Sequence, residues 1–140
     1  MSNLFKLFEV SGSALSAQSV RLNTVASNMA NAQVTSGTPD QAYRARHPVF
    51  ESVLQDIGGG NGTASVQVAG VLESQAEPRA EYAPQHPLAD EEGYVYKPNV
   101  NVVEEMANMI SASRSYQNNV EVMNTTRQLL LRTLQLGQQQ

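Results

Sequence analysis

The chain has 140 residues, with 9 Lys and Arg against 13 Asp and Glu, a net charge of -4 and no Cys. The negative charge and the lack of a basic cluster exclude a typical nucleic-acid-binding protein, and the missing Cys excludes disulfides and thiolate metal sites. No run of about 18 apolar residues is present, so the sequence predicts no direct insertion into a membrane.

The first ten residues, MSNLFKLFEV, contain no apolar segment of signal-peptide length and no small-residue cleavage site after one. If the protein leaves the cytoplasm, we therefore expect export by a route that needs no cleaved signal peptide.

A first helix is predicted from about Asn3 to Asn31, with Gly12 as its weak point at a cost of about 1 kcal/mol relative to Ala. Its apolar residues recur every seven positions as Phe8, Leu15, Leu22 and Met29. A companion row contains Leu4, Ser11, Gln18 and Val25. This spacing places one narrow apolar stripe on the helix, polar along one edge, which is typical of a coiled-coil seam.

The middle of the chain has a different composition. Thr35–Asp40 is predicted to be a loop and residues 57–62, IGGGNG, a flexible turn. Alternating apolar residues predict a strand over 64–72, and 49–54 and 94–96 are weaker strand candidates. We expect extended loops and short antiparallel strands laid against the helices, with too little apolar content for an independent domain.

A second helix is predicted to begin after Asn101 and to run to about Leu136, roughly 50 Å. Asn101 followed by Glu104 has the form of a capping box. One apolar row contains Val102, Met109, Tyr116, Met123 and Leu130. A second row, four residues further on, contains Met106, Val120 and Leu134. A helix that is apolar on one stripe only needs a partner, which predicts that it pairs with the first helix.

The expected fold is therefore mainly α, with two long helices paired as an antiparallel coiled coil and a small loop-rich β insertion between them. The predicted division is an N-terminal helix in 1–35, a middle region in 36–100 and a C-terminal helix in 101–140.

The predicted outer faces of both helices carry Ser, Asn, Gln and Thr rather than the Glu and Lys of a solvated helix. On the first helix these residues are Ser13, Ser16, Gln18, Ser19, Asn23, Ser27 and Asn28. Small uncharged side chains let helices approach closely, which indicates helices surrounded by other helices. A sequence that is merely rich in Ser and Asn is the alternative explanation.

Candidate catalytic and metal-binding residues are few. His47 and His86 each stand beside a proline in predicted loop, without the spacing of a metal site. Asp90, Glu91 and Glu92 are adjacent and precede Gly93, which is typical of a solvated turn rather than of a general acid and base at fixed separation. The sequence predicts no enzyme, no cofactor, no metal and no small-molecule substrate.

Several runs resemble the bacterial flagellar rod and hook proteins. The N-terminal run, residues 15–32, is similar to the signature that this family shares. The segments 86–90, 93–95, 98–106 and 110–125 are similar to the basal-body rod members in particular. The segment 38–43 departs from the family pattern, which has glycines before the Tyr-Arg pair.

The resemblance implies a structural subunit of the proximal rod, the drive shaft that transmits torque from the motor to the hook. It implies a helical domain made from both chain ends, packing with copies of itself and with other rod proteins. It also implies export through the flagellar type III apparatus, location in the rod within the periplasmic space, and terminal helices that are disordered before assembly.

Within one subunit we expect the two apolar rows to pack together. The residues expected in helix pairing and assembly are Phe8, Leu15, Leu22, Val25, Met29, Met106, Met109, Tyr116, Val120, Met123, Leu130 and Leu134. Arg114, Arg127 and Arg132 are expected to contact adjacent subunits. Another rod-family subunit of the distal rod or hook type is the alternative, followed by a soluble coiled-coil adaptor, and then by a hydrolase that cuts the cell wall.

Overall fold

The structure is a computed structural model that describes residues 2–55 and 63–137. Its two long helices are α1, Ser2–Asn31, and α2, Val102–Gly137. Four strands lie between them in sequence: β1, Arg46–Gln55; β2, Thr63–Glu73; β3, Arg79–Tyr82; and β4, Tyr94–Lys97. The predicted pair of long helices with a small β insertion is therefore present.

The start of α2 is fixed by a side-chain cap. The Asn101 Oδ1 atom accepts hydrogen bonds from the backbone N–H of Val103 at 3.1 Å and of Glu104 at 3.4 Å. Such a cap satisfies N–H groups that have no partner within the helix. The prediction that Asn101 caps this helix is confirmed.

The helices run antiparallel, as two contacts far apart along them show. Arg21 donates from Nη2 to Asn108 Oδ1 at 3.0 Å, and a Cβ placed on Gly12 would lie 3.8 Å from the Met123 Cε atom. Later positions on α1 therefore meet earlier positions on α2. Extended along the helices, these two contacts place the last one to three turns of α2 past the first residue of α1.

The β1 and β2 strands form an antiparallel hairpin with a register shift between Val49 and Phe50. The hairpin packs on α1, where the backbone N–H of Val66 donates to Ser13 Oγ at 3.2 Å. The strand predicted over 64–72 is thus confirmed, and the candidate at 49–54 lies in β1. The turn predicted at 57–62 lies outside the described residues.

The β3 and β4 strands form a second antiparallel pair, and the candidate at 94–96 lies in β4. The segment after α1, predicted to be a loop, also reaches this pair. Ser36 and Tyr96 exchange backbone hydrogen bonds of 2.8 and 2.9 Å, and a short 3₁₀ turn follows at Pro39–Gln41. The chain leaving α1 is therefore tied to the strand that leads into α2.

The core of the described residues is small. Its buried hydrophobic residues are all Ala or Val, namely Ala17, Val25, Ala32, Ala42, Ala45, Val95, Val100 and Ala112. Ala32, Ala45 and Val100 form one cluster where the end of α1 meets the start of α2, and Tyr43 and Val102 pack against it. The larger apolar side chains of the described residues are only half-buried or are exposed.

Candidate assembly surface

A polar junction joins the end of α1 to the start of β1, and its centre is Asn28. This side chain is 0% exposed. Asn28 donates from Nδ2 to the Arg46 carbonyl at 2.8 Å, while its Oδ1 accepts from the Arg46 N–H and the Tyr43 hydroxyl, both at 2.8 Å. The Tyr43 hydroxyl also lies 3.2 Å from Ser27 Oγ.

The expectation that Asn28 lies on an outer helix face is therefore wrong. Asn28 lies four residues after Thr24 and eleven after Ala17, and all three are buried. This second stripe of small side chains on α1 is a signal in the sequence that another element packs there, but it does not identify that element as a strand. Thr24 lines the same cleft as Arg46, Val71 and Glu73 of the hairpin.

A second junction is the turn that contains Asp90. Its Oδ1 accepts from the backbone N–H of Tyr94 at 2.8 Å and of Glu92 at 3.0 Å, and its Oδ2 accepts from the Tyr96 hydroxyl at 3.0 Å. The hydrogen bond from the Tyr94 backbone, reinforced by the Tyr96 hydroxyl, lowers the pKa of Asp90 below its usual value. These three hydrogen bonds stabilise the turn, so the Asp90 carboxylate has a structural role.

Gly93 completes this turn with a φ of +84°, a conformation that favours glycine. A Cβ at this position would lie 3.0 Å from Tyr82 Cε2 and 3.1 Å from Pro84 Cβ. The Tyr82 and Tyr94 rings meet edge to face across the turn, with centroids 5.3 Å apart.

The two histidines are not brought together as a metal site. His47 lies in β1, and the Nδ1 atom of His86 accepts a hydrogen bond from the Leu88 N–H at 3.1 Å. Within residues 2–55 and 63–137, no three His, Asp or Glu side chains are grouped so as to hold a metal ion. Over the same residues, no helix is long and apolar enough to cross a membrane.

On α1, the predicted pairing residues lie at intermediate burial or deeper. Phe8, Leu15, Leu22 and Met29 are partly buried. Val25 is 4% exposed, and Ser11 of the same companion row is also 4% exposed. Polar groups thus enter this contact, as the sequence indicated.

On α2, the structure buries a different companion row from the one expected. Met109, Val120, Met123 and Leu130 are partly buried. Met106, Tyr116 and Leu134 are 50%, 37% and 46% exposed, and the buried residues of α2 are Glu105, Ala112 and Thr126. The small Ala112 and Thr126 side chains let α1 approach closely, and the Thr126 hydroxyl is satisfied within its own helix by the Val122 carbonyl at 2.8 Å.

Glu105 is a buried charged residue that the periodicity did not single out. It is 5% exposed, and its Oε2 atom has no hydrogen-bond partner among the described residues. The sequence pattern favoured the apolar row that begins at Met106 over the row that contains Glu105. Burial at this position is determined by the contact between the helices and not by side-chain polarity.

The outward surface of the two helices is rich in large apolar side chains. On α1 they are Phe5 and Leu7. On α2 they are Val103, Met106, Ile110, Tyr116, Val122, Leu129, Leu131, Leu134 and Leu136. Apolar groups in such number on one helix are typical of an interaction surface. Arg114, Arg127 and Arg132 are also exposed and form no ion pair within the described part of the chain.

Two family models match the ends of the chain, where these helices lie. One, described as flagella basal body rod protein, matches residues 8–37, and the other, described as flagellar basal body rod FlgEFG protein C-terminal, matches residues 91–136.

Full-length relatives are similar to the whole chain. Flagellar basal-body rod protein FlgC of Salmonella typhimurium is 53% identical over 135 residues, which is 96% of this chain and 98% of the relative. FlgC of Yersinia enterocolitica is 53% identical over 136 residues, covering 97% and 99%. FlgC of Bacillus subtilis is 37% identical over 146 residues, covering 95% and 97%.

Proposed function

Since the chain belongs to the FlgC family of flagellar basal-body rod proteins and is a structural rod subunit rather than an enzyme, we propose that it polymerises through α1 and α2. The product is the proximal rod, which transmits torque from the motor to the hook. The partners are copies of the chain and other rod proteins.

The observation that carries the proposal is the mismatch between core and surface. Among the described residues, the buried hydrophobic ones are all Ala or Val, while eleven large apolar residues of the two helices are exposed. Burying apolar area contributes about 25 cal/mol per Å², so neighbours that cover these side chains would add to the stability that the small core provides. An adaptor that works as a soluble monomer would carry charged outer faces instead.

Within the subunit, the helices pair as an antiparallel coiled coil. The seven-residue spacing on both helices and the antiparallel contacts at Gly12 and Arg21 support this arrangement. Arg114, Arg127 and Arg132 contact adjacent subunits, as does the exposed part of the predicted row at Met106 and Leu134.

The subunit reaches the periplasmic rod through the flagellar type III export apparatus. Its free chain completes the ends of α1 and α2 only on assembly, because no cross-link ties those ends together and their apolar surface lacks a partner in the monomer. The absence of Cys, and hence of disulfides, agrees with passage as an unfolded chain.

Far-UV circular dichroism with limited proteolysis of the purified monomer tests this. We expect low helicity and rapid cleavage at both ends, leaving a fragment that contains the β region. A protease-resistant, fully helical monomer would mean that the two helices satisfy each other in solution, and the adaptor interpretation would replace assembly-coupled folding.

A further inference from the structure

The contact between α1 and α2 contains a polar group of four side chains: Gln18 and Arg21 on α1, and Glu105 and Asn108 on α2. Arg21 crosses between the helices and donates from Nη2 to Asn108 Oδ1 at 3.0 Å. Gln18 precedes Arg21 by three residues, and Glu105 precedes Asn108 by three. Residues three apart on a helix are neighbours on its surface, so each helix places a second polar side chain beside this hydrogen bond.

Two acceptor atoms of the polar group have no donor. The Gln18 Oε1 and Glu105 Oε2 atoms are buried, and neither forms a hydrogen bond with another residue in 2–55 or 63–137. Glu105 is only 5% exposed, and a buried carboxylate that is neither paired nor hydrogen-bonded is costly. A counter-ion for Glu105 is therefore expected within the same helix contact.

Arg21 is the cation placed to neutralise Glu105, since both side chains line one cleft between the helices and β1. A guanidinium has five N–H donors, and Arg21 forms no ion pair within the described part of the chain. The other arginine of the cleft, Arg46, already pairs with Glu73 at 3.3 Å. Arg21 therefore has both the charge and the free donors that Glu105 lacks.

We propose that Arg21 turns between Asn108 and Glu105 and, by pairing with the buried carboxylate, fixes the register of α1 against α2. One guanidinium has enough donors for both side chains, because these are neighbours on one face of α2. This inference rests on the helix pairing proposed above and names the residues that specify it.

The apolar rows alone do not specify the register. They repeat every seven residues on both helices, so a slip of one heptad brings apolar residues opposite each other again. The polar group does not repeat, because the residue seven positions after Glu105 is Ala112. A slipped pairing leaves the carboxylate without its cation, and buried polar side chains fix the register of coiled coils in this way.

The substitution Glu105→Gln tests the pair, because it removes the charge and keeps the shape of the side chain. If Arg21 neutralises Glu105, the change is harmful in the wild type, where it removes an ion pair. In an Arg21→Met chain the same change is beneficial, because it removes an unpaired buried charge. If Arg21 is not the counter-ion, the change has the same sign in both chains.

Each variant is expressed as the sole copy, and its amount in purified basal bodies is measured by immunoblot at equal total expression. We expect Glu105→Gln to lower incorporation by about tenfold in the wild type and to raise it by about threefold in the Arg21→Met chain. The matched control is Glu104→Gln, which removes the same charge at the adjacent, exposed position and should have no effect in either chain. An effect of one sign in both chains overturns the pair.

Introduced cysteines measure the register where the Arg21→Met chain is not incorporated, because the natural chain has no Cys. Gly12→Cys with Met123→Cys reports the observed register, since a Cβ on Gly12 would lie 3.8 Å from Met123 Cε. Gly12→Cys with Tyr116→Cys, or with Leu130→Cys, reports a slip of one heptad. The purified full-length chain is oxidised, and its disulfide-linked peptides are quantified by mass spectrometry.

We expect Arg21→Met to raise the yield of the slipped disulfides by about tenfold relative to the native one. An unchanged ratio would mean that the junction at Asn28 fixes the register by itself, and the proposal would be overturned. If the wild-type chain were absent from basal bodies, the proposed function would fail instead. The disulfide ratio of the purified chain would still decide the role of Arg21, so the two failures are distinguishable.

Discussion

Replacing Asn28 by Ala removes three hydrogen bonds of 2.8 Å from a side chain that is 0% exposed. The Tyr43 hydroxyl keeps Ser27 Oγ as a neighbour at 3.2 Å. The N–H and the carbonyl of Arg46 lose their partner. An unpaired buried polar group costs about 1–3 kcal/mol, so with partial entry of water we expect the junction to lose about 2–4 kcal/mol in all.

The Arg46 amide reports this loss by hydrogen exchange. Each 1.4 kcal/mol is a factor of ten, so its exchange in Asn28→Ala should be about 30 to 900 times faster than in the wild type. Asn28→Asp keeps the acceptor but places a carboxylate oxygen against the Arg46 carbonyl. At neutral pH we expect it to cost at least as much as Asn28→Ala.

Asn23→Ala is the matched control, because Asn23 is exposed on the same helix, and it should leave this amide unchanged. If Asn28→Ala also left Arg46 exchange unchanged, the junction would not form in the free chain, and the reasoning that locates its stability in these three bonds would be refuted.

Three further changes test the helix contact and the turn after β3. Met123→Asp places a charge against α1 and should abolish rod incorporation and motility, whereas Asn124→Asp, which adds the same charge at an exposed position, should not. Gly93→Ala should lower the free energy of unfolding by about 1–3 kcal/mol, because Gly93 has a positive φ and the added Cβ would lie too close to Tyr82 and Pro84. In thermal melts Gly70→Ala should leave the melting temperature nearly unchanged, because no atom lies within 4 Å of the added Cβ. Because the pKa of Asp90 is lower in the folded than in the unfolded chain, its contribution is present above the unfolded pKa and is lost as the pH falls through the folded one. Acid should therefore destabilise the wild type more than Asp90→Asn, and equal acid sensitivity would contradict this assignment.

The long elements were predictable because their signals are local and repeated. Seven-residue spacing on both helices, the cap at Asn101 and the alternation over 64–72 each depend on a few neighbouring residues. The β3 strand was not predicted, because all four of its residues are exposed and only its pairing with β4 defines it.

The finer pattern of burial depends on contacts that are distant in sequence. Asn28 is buried because the Arg46 backbone satisfies its amide, and nothing in α1 alone reveals that partner. On α2 Met106 and Leu134 of the more apolar row are exposed, and Ala112 of the neighbouring row is buried. Close approach of two helices favours small side chains, so the large apolar ones stay outside, where in such number they are typical of an interaction surface.

The molecule consequently has two unlike ends. At one end the junctions at Asn28 and Asp90, with the small apolar cluster, tie the helices to the strands. Towards the other end, α1 contacts α2 and the β1–β2 hairpin, as at Ser13, while Phe5 and Leu7 of α1 and Leu134 and Leu136 of α2 are exposed. A subunit that is ordered at one end and apolar at the other can enter a growing assembly with its β region already folded. On the function proposed above, its neighbours would then complete the helices, and the stability of the helix ends would depend on assembly into the rod.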